Sequence, residues 1–102
     1  MRNFYYAPLV RWERVEEIIM LVPEDEREEA ERLVISSIDH VVIETVLIHL
    51  DKQHHKEFMQ KIHDAYHDPS VLDWLKDKIS DVEEKLKNAI SQTKTSIIQL
   101  LS

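Results

Sequence analysis

Apolar residues along the chain recur at spacings of three and four, the signature of helices with one face turned inward. Leu9, Trp12, Val15 and Ile19 follow Pro8, which suits the first position of a helix. The next start is Pro23, trailed by Glu24, Asp25, Glu26, Glu28 and Glu29, acids that complement the positive end of a helix dipole. From there the pattern runs unbroken to about residue 50. Asp51 is placed to cap a third helix carrying Phe58, Met59, Ile62 and Tyr66. Asp68 and Pro69 repeat the cap-then-proline signal ahead of Val71, Leu72, Leu75 and Ile79. Ser80 and Glu83 match a capping box opening a last helix with Val82, Leu86, Ala89, Ile90, Thr93 and Ile97. The prediction is an all-α fold, a compact bundle of four to five helices with a long central helix over about 23–50. One helical domain spans 1–102, with residues 1–7 as a candidate loose N-terminal arm.

Two segments bear on how that bundle is completed. Val41-Val42-Ile43-Glu44-Thr45-Val46-Leu47-Ile48 has the β-branched content of a strand, but no second strand exists to pair with it and no turn chemistry bounds it. Read as helix, its apolar positions cover more than half the circumference, leaving a polar strip through Ser37, His40 and Glu44. That marks a central or interface helix. The final turns crowd Ile97, Ile98, Leu100 and Leu101 onto different faces. Aromatic residues Phe4, Tyr5, Tyr6 and Trp12 either close one end of the core or anchor a partner. A chain this short has limited means to cover all of this alone, so self-association is expected, with Phe4, Tyr5, Tyr6, Trp12, Ile97 and Leu101 as interface candidates.

Composition narrows the chemistry. With no cysteine there is no disulfide, thiolate zinc site or iron–sulfur cluster, and with no glycine there is no phosphate-cradling loop or nucleophile elbow. No serine and histidine fall at a catalytic spacing, so a non-enzymatic protein is expected. At 43% apolar and 32% charged the chain has the make-up of a folded domain. A net charge of −7 with no basic stripe argues against nucleic acid and anionic membrane surfaces as partners. The longest apolar run, Ile18 to Val22, is far too short to span a bilayer. A cytoplasmic protein is the expectation. All arginines lie in the first half and all lysines in the second, a segregation without a physical account at this level. The acidic run Glu24 to Glu31 admits a reading as a nucleic-acid-mimicking inhibitor, set against a simpler one as a solvated helix start.

All six histidines fall between His40 and His67. His40 with Glu44, and His63 with His67, sit at helical i,i+4 spacing, each pair on one face. If the chain reverses near residue 51, the pairs come nearly level across an antiparallel hairpin, at ~1.5 Å rise per residue. Imidazole and carboxylate on facing helices is how bundles hold zinc or another divalent metal, which makes His40, Glu44, His63 and His67 the candidate ligands. The competing reading leaves these histidines in solvent, because His63 flanks the Phe58–Ile62–Tyr66 stripe and His67 lies nearly opposite it. Asp39 and His49 both project onto the apolar side of the long helix, where a polar group must find a partner.

Leu21-Val22-Pro23-Glu24-Asp25-Glu26, the long apolar helix, and Asp68-Pro69 through Asp81-Val82-Glu83 resemble a family of short all-helical bacterial proteins of unknown function. The resemblance covers roughly residues 21–90, and Ser80 stands where that family carries a proline. It implies a fold class and no chemistry. The function expected is an acidic helical interaction or assembly module, working as a homo-oligomer or with a protein partner. The alternative is a small metal-binding bundle built on the histidine hairpin.

Overall fold

The computed structural model describes residues 4–101, with the side chain of Leu101 outside what is described. Five α-helices, α1 (Trp12–Ile19), α2 (Arg27–His49), α3 (His55–Ala65), α4 (Ser70–Lys78) and α5 (Val82–Leu101), are joined by short links, and no strand occurs among the described residues. Single 3-10 turns at Ala7–Leu9, Glu24–Glu26 and Lys52–His54 precede the first three.

Helix α2 is the long central element, 23 residues and therefore ~35 Å at 1.5 Å per residue. It sets the long dimension of a molecule measuring 44 × 23 × 19 Å. Its buried positions are Val34, Ile38, Val42 and Val46, a single i,i+4 row that Leu50 extends beyond the helix. The β-branched segment is helical, and Thr45 donates its hydroxyl to the Val41 carbonyl one turn back, 2.7 Å away. Most of the packing on α2 comes from α5, whose Val82, Leu86 and Ile90 form a matching i,i+4 row. Helix α1 closes against both through Val15, Ile18 and Ile19. Helix α3 packs chiefly on α4 instead of lying back along α2, so the hairpin expected at residue 51 is not the organising unit.

Several expected helix starts lie one to four residues away from the signal. Pro8 sits in a 3-10 turn, and α1 begins at Trp12. Asp51 offers its backbone carbonyl to His54 N–H, while its side chain caps nothing. Asp68 stands one residue before the cap position, which Pro69 occupies; its carboxylate accepts the Ser70 N–H at 2.9 Å, and that bond holds the carboxyl below the usual aspartate value. The Ser80–Glu83 box is not the start of α5, which opens at Val82 after Asp81 in the left-handed region at φ 54°. In a chain without glycine, aspartate is among the residues that tolerate this conformation best.

The N-terminal arm is not loose over its described part. Tyr5 and Tyr6 are 1% and 0% exposed, members of the same core as Val42 and Phe58. Residues 1–3 lie outside the described residues.

Candidate functional site

A tyrosine–aspartate cluster, the histidines of α2 and α3, and an apolar groove each draw on elements far apart in the chain.

Tyr6 reaches the tyrosine–aspartate cluster from the N-terminal segment, Tyr66 from the residue after α3, and Asp39 from α2 between Ile38 and Val42. The Tyr6 hydroxyl donates to Asp39 Oδ1 at 3.1 Å, and the Tyr66 hydroxyl donates to the same oxygen. Tyr5 N–H donates to the Tyr66 carbonyl at 3.1 Å, and its ring stands edge-on to Tyr6, Phe58 and Tyr66. Phe4 stacks on Tyr6 and meets Trp12 and Tyr66. The Tyr5 hydroxyl is buried with no hydrogen-bond partner. Burial, then the hydrogen bond to Asp39, pushes the Tyr66 phenol up to about 12. Burial also raises Tyr5 and Tyr6, with the Asp39 charge adding to both. At neutral pH Tyr6 and Tyr66 are therefore fixed hydrogen-bond donors to the Asp39 carboxylate. They tie three segments together and offer no general base.

Asp39 thus finds its partners, as a polar group on an apolar flank must. His49 does not lie on that flank. It is exposed, and its Nδ1–H donates to the Thr45 carbonyl at 3.0 Å. It sits three residues past Val46, turned to the side of the buried row by helical geometry.

The histidine quartet is not gathered into one site. His40 pairs with Glu44 at 3.3 Å on the outer face of α2, and both are exposed. His63 turns to Asp64 at 2.9 Å, while His67 is exposed with its ring edge-on to Tyr66. The physical reason is the course of α3: it packs on α4, so its polar face has no α2 helix opposite. Among the described residues, no group of three or more His, Asp or Glu side chains is arranged to hold a metal ion. His55 serves the backbone, donating from Nε2 to the Leu50 carbonyl at 2.8 Å.

Of the interface candidates, Tyr5 and Tyr6 are enclosed within the chain, so the aromatic group closes one end of the core. Phe4 and Trp12 are half-buried against it. Ile97 is different. It forms one side of a groove of about 430 Å³ between the start of α2 and the far end of α5, with Val22, Ala30, Leu33 and Val34 opposite. Leu33 stands 59% exposed at this groove, and Glu26 and Glu29 are its charged lining residues. Sequence periodicity singled out Ile97 but missed Leu33, which belongs to the broad apolar side of α2 that α5 leaves uncovered.

No protein-family model, curated protein or solved structure matches the chain. Among the described residues, no helix is long and apolar enough to cross a membrane.

Proposed function

We propose that this protein is a non-enzymatic assembly module that pairs with a second copy of itself through the groove between α2 and α5. The observation that carries the reading is the groove's own make-up: a protruding Leu33 beside a depression lined by Ala30, Val34 and Ile97. A patch holding both a knob and a hole satisfies itself across a two-fold axis, because each copy's leucine enters the other's depression at once. Apolar area left open at this position is otherwise a liability for a monomer. The net charge of −7 and the groove's Glu26 and Glu29 oppose the pairing at low salt. A cytoplasmic setting, expected of a chain without cysteine, belongs to the same reading.

The test is light scattering coupled to size exclusion over a wide dilution range at low and moderate salt. The expected result is a dimer that dissociates on dilution, tightens as salt is raised and is weakened by Leu33→Glu with helicity unchanged. A constant mass near 12 kDa at every concentration and salt would overturn it.

A further inference from the structure

A second cleft, of about 620 Å³, is bounded by the Ala7–Leu9 turn, the start of α1 and the stretch of α5 from Glu84 to Ile98. Its lining contains four cations, Arg11, Arg14, Lys87 and Lys94, and a single acid, Glu84. In a chain of net charge −7 this is a local reversal of sign. The cleft also joins the two halves of the chain's unexplained segregation, arginines from the first half facing lysines from the second.

Lys94 is the unusual member. It occupies the next i,i+4 position of the α5 row after Val82, Leu86 and Ile90, and it is only 7% exposed. Among the described residues, the hydrogen bond its ammonium makes is one long contact to the Arg11 carbonyl, at 3.5 Å. The stem is enclosed while the ammonium, with three donors, reaches the cleft without a counter-charge in contact, a partly desolvated position that costs free energy. Burial first, then the charges of Arg11 and Arg14, hold Lys94 below the usual lysine value, with Glu13 opposing them. An anion in the cleft would remove that penalty. Arg14 is paired with Glu17 at 3.2 Å, but both partners are well exposed, and such a pair is readily exchanged.

We infer that this cleft binds a small phosphomonoester, its phosphate held by Lys94, Arg11 and Arg14 and its hydroxylated organic part lying along Asn88, Ser91 and Thr95. The arginine forks match phosphate oxygens two at a time, and Ser91 and Thr95 supply hydroxyl donors at the same wall. The volume falls in the range of small-molecule sites, and the mostly polar lining gives the hydroxyls of a small phosphate ester partners that the bare ion cannot use. The site is independent of the assembly groove, since Leu33 lines only the latter.

The experiment is a titration of the full chain with glycerol phosphate, inorganic phosphate and succinate, followed by backbone amide shifts in NMR. The expected result is saturable binding of glycerol phosphate, weaker binding of inorganic phosphate, and shifts confined to residues 8–14 and 84–98. Arg11→Gln with Arg14→Gln, both exposed and expected to fold, should weaken binding about tenfold or more, as should Lys94→Met. Leu33→Glu should leave it unchanged. Non-saturating shifts, shifts spread over the surface, or succinate binding as tightly as the phosphates would overturn the assignment.

Discussion

Tyr66 donates its hydroxyl proton to the carboxylate of Asp39 across 27 residues of chain, and Tyr6 donates to the same oxygen across 33. One acceptor atom therefore fastens the N-terminal segment and the end of α3 to the middle of α2. Removing it strands two phenols at once. Asp39→Ala should cost about 2 kcal/mol and Tyr66→Phe about 1 kcal/mol, values scaled for the half-buried setting of both groups. The double variant should be no less stable than Asp39→Ala alone, because the shared oxygen makes the effects non-additive. Urea denaturation of the three variants checks this; additive losses would contradict it.

The same cluster predicts the alkaline behaviour. All three tyrosines of the chain are raised above 10.0, and Tyr66 titrates at about 12. The unfolded chain loses these protons near 10.0, so between there and 12 the folded state holds more protons than the unfolded one. Stability from this source is complete below pH 10 and falls as pH rises toward 12. Ultraviolet absorbance should show no tyrosinate step near pH 10 in the native protein. A step there amounting to one tyrosine would show that one phenol lies free of the cluster.

Lys94 occupies a core position at a cost, so Lys94→Met should raise stability by about 1 kcal/mol, or some 4–8 °C in Tm for a domain of this size. The lowered lysine value gives the wild type a second signature. Between its lowered value and 10.5 the folded state binds fewer protons than the unfolded one, so the penalty from this charge eases as pH climbs toward 10.5 and is absent in the variant. Thermal melts at pH 7 and 9 on both proteins measure it. A lower Tm for Lys94→Met would mean that the lysine stem packs better than a methionine can.

Helix starts were legible wherever a proline and acids coincide, as at Pro23 and Asp68-Pro69, because dipole and cap chemistry act within one turn. The buried rows were legible in phase: Val34, Ile38, Val42 and Val46 on α2, Val82, Leu86 and Ile90 on α5. Periodicity gives a helix its inner face and does not say which helix covers that face. Hence periodicity alone sets α3 against α2, and the quartet of His40, Glu44, His63 and His67 follows from that placement. Asp39 needs a partner on sequence grounds alone, yet nothing local names Tyr6 and Tyr66, which lie so far away in the chain. Lys94 gave one readable signal, its place four residues after Ile90, which a polarity-based reading passes over as surface.

The pairing of α2 with α5 also orders events during synthesis. The α2 row from Val34 to Leu50 is complete before any of its main covering residues, Val82 to Ile90, has been made. At ordinary elongation rates the wait between Leu50 and Val82 is roughly 2 to 6 s. For that interval the α2 row has α1 beside it but lacks its main cover, and the acids from Glu24 to Glu31 at its leading end add like-charge repulsion between neighbouring copies.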